Sequence, residues 1–329
     1  MIYDCFSFFN ELDLLEIRLN VLKDVVDRFV LVEAGETHSG RPKPLYYKEN
    51  EARFAAFKDK IVYVGIERFP ETCTTDWARE NYQRNAIAQG LRDARDDDVV
   101  LISDLDEIPR PELISKYVGK RGVTVFDQNY FAYFLNYRNV RQQWWHGTRM
   151  LSYRDFCHAF DGVKVIKNEF LPEEINKGTT ASKIRCRTLP RSRGGQRVVK
   201  NGGWHFTSLG GAEKLAEKMA SFAHQEYNPG DDRIDVNELQ KIIKAGKGTF
   251  WDMRCFAEEL DDSYPLYIRE NKDRFANLIY PVTADYLAET RRERLKCTFR
   301  SRIVGSLERA IPDCVLNLAH RIKVLLNSL

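Results

Sequence analysis

The run Val99-Val100-Leu101-Ile102-Ser103-Asp104-Leu105-Asp106-Glu107-Ile108-Pro109 constrains this chain more than any other segment. Four apolar residues in succession suit an interior strand of a parallel sheet, covered on both faces. Pro109 keeps the acids that follow from being absorbed into a continuing ladder or helix. Carboxylates at the carboxyl end of a central strand sit where open α/β sheets bind ligands. Two acids spaced i, i+2, Asp104 and Asp106, can share one hard cation while a diphosphate supplies further oxygens. A solvated acidic turn capping the next helix is the other reading of the same residues.

The segments around this run repeat one pattern. Residues 3–9 read as a short aromatic strand. Leu12, Leu14, Leu15, Ile17, Leu19 and Leu22 then recur at helical spacing, with Asn10 expected as cap. Strands are expected at 29–34 and 61–64, helices at 49–58 and 77–94, and a turn-rich loop at 35–44. Strand, helix, strand, helix, strand argues for a parallel sheet with right-handed crossovers. The expected class is α/β, a single domain with a mixed, mainly parallel sheet. Beyond Pro111 the texture changes: 123–134 is a long aromatic strand and 136–148 a loop and strand region. Residues 185–200 are basic and carry Pro190, Gly194 and Gly195, which reads as a loop. Helices are expected at 213–223, 236–245 and 267–275.

At 329 residues the chain can bury a large core. A net charge of +3 gives no nucleic-acid signature. The seven cysteines are scattered, odd in number and free of C-x-x-C spacing, which suits reduced thiols. The N-terminus lacks a basic region and a long apolar region, and no stretch is long and apolar enough to span a bilayer. The expected location is therefore cytoplasmic, in solution or peripheral on the inner face of a membrane. From Leu287 onward nine Lys or Arg face four acids, a net +5 in a chain whose total is +3. Ile303, Leu307, Ile311, Val315, Leu318, Ile322, Leu325 and Leu326 recur near helical spacing there. That basic amphipathic tail, 287–329, suits either an anionic membrane surface or packing on the domain with a solvated charged face.

Four segments together resemble one family: residues 9–20 (FNELDLLEIRLN); Val32-Glu33-Ala34 with Thr37 and residues 40–45 (GRPKPL); residues 103–109 (SDLDEIP); and Gly203-Trp204-His205. They resemble glycosyltransferase family 17 over about residues 3–278. The resemblance implies a GT-A type nucleotide-diphospho-sugar fold over 1–286, with a nucleotide-sugar-binding half (1–110) and an acceptor-binding half (111–286). It also implies a UDP-GlcNAc-like donor, Mn2+ (or Mg2+) and inversion at the anomeric carbon. Animal members carry an N-terminal membrane anchor and a lumenal stem that this sequence does not show. The acceptor is therefore expected to be a surface polysaccharide, a lipopolysaccharide or a lipid-linked saccharide rather than an N-glycan.

The resemblance also implies roles. Asp106 is the first choice for direct metal ligation and Asp104 the second, with Asp104 also reaching ribose or a metal-bound water. The cation acts as a Lewis acid on the departing UDP. Glu107 is a further ligand or a helix cap. His205 is the second metal candidate, the alternative being a histidine packed beside Trp204. Glu33 and Thr37 are candidates for uracil or ribose, or a loop anchor. Arg84 and Asn85 are candidates for the diphosphate or donor sugar, with an Arg84–Glu80 surface pair as the alternative. Trp77 lines the pocket or staples its helix. An inverting transfer needs a carboxylate base. Asp155, Asp161 and Glu226 are candidates, and Glu226 matches an acidic position of the family; a plain surface acid is the better reading of each taken singly. Arg185, Arg187, Arg191, Arg193, Arg197 and Lys200 suit the diphosphate or an anionic acceptor, or a solvated loop. Tyr130, Phe131, Tyr133, Phe134, Tyr137, Trp144 and Trp145 divide between core and sugar stacking.

Two other functions fit parts of the pattern. A sugar-phosphate hydrolase or nucleotidyltransferase also uses acids at strand ends. The latter usually needs a glycine-rich loop after its first strand, and residues 3–11 hold no glycine. An inactive glycan-binding protein with the same fold is the third.

Overall fold

The computed structural model describes residues 1–159, 195–225, 235–249 and 253–310. Its strands are β1 (Ile2–Phe8), β2 (Arg28–Ala34), β3 (Ile61–Ile66), β4 (Val99–Asp104), β5 (Glu107–Pro109), β6 (Val123–Ala132), β7 (Tyr137–Asn139), β8 (Trp144–Ser152), β9 (Gln196–Thr207) and β10 (Cys255–Ala257). The helices are α1 (Leu12–Leu22), α2 (Tyr46–Glu49), α3 (Asp76–Asn85), α4 (Pro111–Tyr117), α5 (Tyr153–Ala159), α6 (Gly211–Ser221), α7 (Val236–Lys244), α8 (Leu266–Glu270) and α9 (Ala284–Ala310).

The expected parallel core is present as β3-β2-β1-β4. Its β4 residues 99–102 are buried, as an apolar interior strand requires. The sheet then turns mixed: β8 lies antiparallel to both β4 and β6, while β9 runs parallel to β6. It follows that β1, β2, β4, β6 and β9 all end at one edge. Two large apolar clusters fill the two faces, one around α1 and the other under α3.

Several boundaries differ from the periodicity. Asn10 does not cap α1: Glu11 occupies the cap position without a side-chain bond, and the Asn10 carbonyl accepts from Leu12 N. The helix expected at 49–58 divides into α2 and a 3-10 turn, Glu51–Phe57. The one expected at 77–94 ends as α3 and continues as a 3-10 turn, Ala86–Leu91. In that turn Gly90 lies so close to β2 that a Cβ would stand 2.3 Å from Val30. Residues 196–200 of the expected basic loop belong to β9, while 185–194 lie outside the described residues.

The largest departure from pattern is Arg18, a charged residue on the buried face of α1 and fully inaccessible. Its guanidinium donates to Asp4 Oδ2 (2.8 Å) and Oδ1 (2.6 Å) on β1 and to Ser103 Oγ (2.6 Å) on β4. It also donates to the carbonyls of Asp104 (3.0 Å), Leu105 (3.0 Å) and Glu107 (2.9 Å). The Phe6 ring lies 4.6 Å away. One planar fork thus ties α1, β1 and the acid turn together. Replacing Arg18 by Leu leaves Asp4 buried and uncompensated and is expected to destabilise the fold by about 3–5 kcal/mol. In urea unfolding, the paired change Asp4→Leu/Arg18→Leu should cost less than the two single changes added together.

A second clamp joins α1 to α8 and the segment after it. Glu16 accepts from Arg274 (2.6 Å), Arg53 (2.7 Å) and Tyr267 (2.7 Å). Burial pushes its carboxyl up, but these three bonds outweigh it and hold it below the ordinary range. The folded state therefore favours ionised Glu16. Its contribution is complete above the unfolded value of roughly 4.3 and disappears as pH falls through the lower folded value. Glu16→Gln should lower stability at neutral pH by about 1–2 kcal/mol and flatten the acid limb of a stability–pH profile.

Candidate active site

The common strand edge opens into a cavity of about 470 Å³. Its walls come from the ends of β1 (Ser7, Phe8), β4 (Asp104, with Leu105 and Asp106 after it) and β9 (His205, Thr207), from the loop after β2 (Thr37, His38) and from α3 (Glu80, Gln83, Arg84). The carboxyl ends of parallel strands leave such a crevice because their crossovers depart in different directions.

Asp106 and His205 meet through a backbone ladder. After the acid turn the chain pairs again as β5, with Glu107 opposite His205 and Phe206 N donating to the Asp106 carbonyl (2.8 Å). Asp106 Oδ1 then lies 3.5 Å from His205 Nδ1. Both atoms are buried and neither has a hydrogen-bond partner. Lys218 Nζ stands 3.7 Å from the other carboxylate oxygen. Burial pushes the Asp106 carboxyl up, but His205 and then Lys218 draw it down, and the net direction is below the usual range. An ionised carboxylate and a neutral imidazole nitrogen, which have no hydrogen-bond partner beyond their own 3.5 Å approach, are a donor set that fits a divalent cation. Among the described residues no group of three His, Cys, Asp or Glu converges on one point.

Asp104 is more exposed, and Arg84 Nη1 holds its Oδ1 at 2.8 Å. Arg84 also donates to Glu80 (2.9 Å), so the expected i, i+4 pair exists and the same guanidinium still borders the cavity. Thr37 borders it too, its hydroxyl accepting from Arg41 N (3.0 Å) to close the loop. Trp77 is 43% exposed at the cavity wall, edge-on to His224 at 4.6 Å.

Several expectations are corrected. Glu33 is fully buried and turned to α2, where it accepts from Tyr47 N (2.9 Å), Tyr63 Oη (3.1 Å) and Lys48 N (3.4 Å). It anchors a helix start and forms no wall of the cavity. Asn85 is buried on α3 and is likewise absent from the walls. Glu107 does not cap α4: it accepts from Trp145 Nε1 (2.6 Å) and from Asp104 N (3.1 Å), bracing the acid turn from behind. Asp155 lies on α5, which packs at the opposite end of β4 near Asp96 and Asp98, far from the proton it was expected to take. Arg197 and Lys200 face the start of β6, well before His205 along β9. Asp161, Glu226, Arg185, Arg187, Arg191 and Arg193 lie outside the described residues.

His205 packs flat on Trp145 (4.8 Å, 10° between planes) with Tyr130 at 5.0 Å, rather than beside Trp204. Trp204 points to the other face and donates to the Ser263 carbonyl. The two glycines before it serve the strands, not a ligand. A Cβ on Gly203 (φ 151°) would lie 2.1 Å from the Ile108 carbonyl, and one on Gly202 2.8 Å from Phe126.

Sequence reasoning missed His38, Lys43 and Lys218. His38 Nε2 meets Gln83 Oε1 (2.8 Å), and burial pushes its imidazole pKa down. Burial does the same to the Lys43 ammonium, which stands 3.8 Å from Glu33. Nothing local distinguishes these residues from surface cations; only the loop that follows β2 and the packing of α6 bring them in.

Comparison with known proteins adds the following. Residues 1–152 match the family described as Glycosyltransferase family 17. The chain is 36% identical to the Rattus norvegicus beta-1,4-mannosyl-glycoprotein 4-beta-N-acetylglucosaminyltransferase, over 82% of this chain and 53% of that protein. The Homo sapiens protein of the same name is 26% identical over the same shares. The chain thus spans about half the length of the curated relatives it matches. Among solved structures, a mannosyltransferase from Pyrobaculum calidifontis in complex with GDP-Man and Mn2+ has a TM-score of 0.31 at 12% identity, covering 48% of this chain and 46% of that one. Galactosyltransferase LgtC, solved with donor and acceptor sugar analogs, has a TM-score of 0.31 at 11% identity, covering 87% and 99%.

The position of Glu33 makes a prediction. Glu33→Ala should destabilise the fold by about 1–3 kcal/mol, since it leaves the Tyr47 amide and the Tyr63 hydroxyl without their acceptor. Urea unfolding should show the loss as a lowered midpoint.

Proposed function

Because this chain belongs to glycosyltransferase family 17, we propose that it moves a hexosamine, GlcNAc from UDP-GlcNAc, to a saccharide hydroxyl with inversion. The observation that carries this reading is the strand-edge cavity in which Asp106 and His205 present two unpartnered donor atoms beside Arg84, Lys43 and Lys218. Asp106 and His205 would hold a divalent cation, which when bound supplies a Lewis acid to the leaving diphosphate. Arg84 and Lys218 add positive charge where negative charge grows. Thr37, His38 and Gln83 bound the part of the cavity nearest β2, where the nucleoside is expected. Trp145 and Tyr130 keep the His205 ring in one orientation, and Glu107 keeps Trp145 there.

The acceptor reading rests on a second space. A groove of about 400 Å³ adjoins the cavity and shares Phe9, Glu11, Asp106, Ser208 and Lys218 with it. Phe9 and Tyr46, both half-buried, give that groove flat apolar surfaces suited to a pyranose. As the acceptor oxygen bonds to the anomeric carbon and the carbon–phosphate oxygen bond breaks, the hydroxyl proton needs a carboxylate. Glu11 borders both spaces and is the candidate among the described residues.

A thermal-shift panel of UDP, GDP, CDP and UDP-GlcNAc, with and without Mn2+, tests the donor site. UDP species are expected to stabilise only with the metal, by roughly 2.7 kcal/mol at a hundred times the dissociation constant. Asp106→Asn should remove that shift and lower transfer at least about a hundredfold while leaving the unliganded fold intact. Phosphate release from sugar phosphates without any acceptor would point to a hydrolase instead.

A further inference from the structure

The helix α9 has two unlike faces. Its inner face is tied to the domain: Tyr286 Oη accepts from Ala257 N (2.8 Å), Arg294 meets Glu258 (2.7 Å), and Glu293 meets Arg254 (2.6 Å). On the outer face Leu295 is 62% and Phe299 68% exposed, one turn apart. Arg291, Arg292 and Lys296 flank them, all exposed. Asp285 and Glu289, also exposed, lie N-terminal to them, Glu289 within one turn of Arg292. Between α9 and the sheet lies a cavity of about 660 Å³ whose walls include Arg138, Arg291 and Arg294, against the single acid Glu258. Trp144, Leu287 and Leu295 form its apolar lip, and Trp144 is 37% exposed.

We propose that this face of α9, with the arginine-lined cavity beside it, docks on the surface of an anionic phospholipid bilayer. Leucine and phenylalanine exposed together among arginines and lysine make the pattern of a helix lying in a membrane interface, apolar side chains entering the acyl boundary and cations meeting phosphate. Trp144 has the amphipathic ring that favours the headgroup level. The cavity offers a net positive recess for one lipid phosphate. A second copy of the chain fits the face poorly. A two-fold contact would set Arg291, Arg292 and Lys296 against themselves, and two large apolar side chains fall short of the ~800 Å² per partner of a stable interface. No helix among the described residues is long and apolar enough to cross a membrane; the contact is interfacial. The proposal does not depend on the chemistry of the strand-edge cavity.

Co-sedimentation of the full chain with phosphatidylcholine vesicles, with and without phosphatidylglycerol, tests it. Binding is expected only with phosphatidylglycerol and should weaken as salt rises. Leu295→Asp/Phe299→Asp and Arg291→Glu/Lys296→Glu should each lower the partition coefficient by on the order of tenfold or more. All four side chains are exposed, so both variants should keep the parent thermal midpoint. Failure to sediment, equal binding to pure phosphatidylcholine, or undiminished binding by both variants would overturn the proposal. So would concentration-dependent dimerisation abolished by Leu295→Asp in a chain that ignores vesicles.

Discussion

The buried fork of Arg18 is the interaction on which the site depends. A turn that carries two acids just after an interior strand has backbone carbonyls at its bend to which no ladder donates. Arg18 takes three of those carbonyls and the Ser103 hydroxyl, and Asp4 neutralises it from the neighbouring strand. A buried ion pair alone is weak evidence for stability. Here the pair also satisfies the Asp104 and Leu105 carbonyls and shares that of Glu107 with the Thr148 hydroxyl, a structural duty that an apolar replacement could not fill. The acids then project away from Arg18, toward the cavity and toward cations of their own.

The turn is braced from its far side as well. Glu107 accepts from the Asp104 amide and from the Trp145 indole, and Trp145 supports the His205 ring. The β5–β9 ladder sets the register of His205 against the turn. Arg18, Glu107 and the ladder thus preorganise Asp106 and His205 before any ligand arrives, as a site meant to hold charge requires. Gly202 and Gly203 belong to this bracing, because any side chain there would push β9 off β5 and β6.

Much of this was legible along the chain. The apolar run of β4 and its acids announced a strand and a site at its end, and the first three strands fell within a few residues of their expected places. Arg18 stood in the sequence only as one letter of a motif, and its role needed Asp4 on another element. Glu33 stood between a ligand contact and an anchor, because a carboxylate at a strand end looks the same whether it faces a ligand or the amides of a helix start. Lys43 and Lys218 were invisible as site residues, since a lysine carries no pattern that separates a cavity wall from solvent. Asp155 was one candidate base with a plain surface acid as its other reading, and the second holds: α5 follows an antiparallel strand and so lies at the other edge of the sheet.

Local chemistry therefore determined the parallel core, the acid turn and the family to which the chain belongs. These follow from runs of apolar residues, turn residues and short motifs, all of which act over a few positions. Only tertiary structure decided which acid faces His205, which arginine holds the turn from within, and which cations border the cavity. Those choices rest on ladder register and on crossover direction, which join residues far apart in sequence: Arg18 to Glu107, Glu107 to His205, and Asp106 to Lys218. No single segment contains the information, because a hydrogen bond between distant elements is specified only when both have been placed by the core between them.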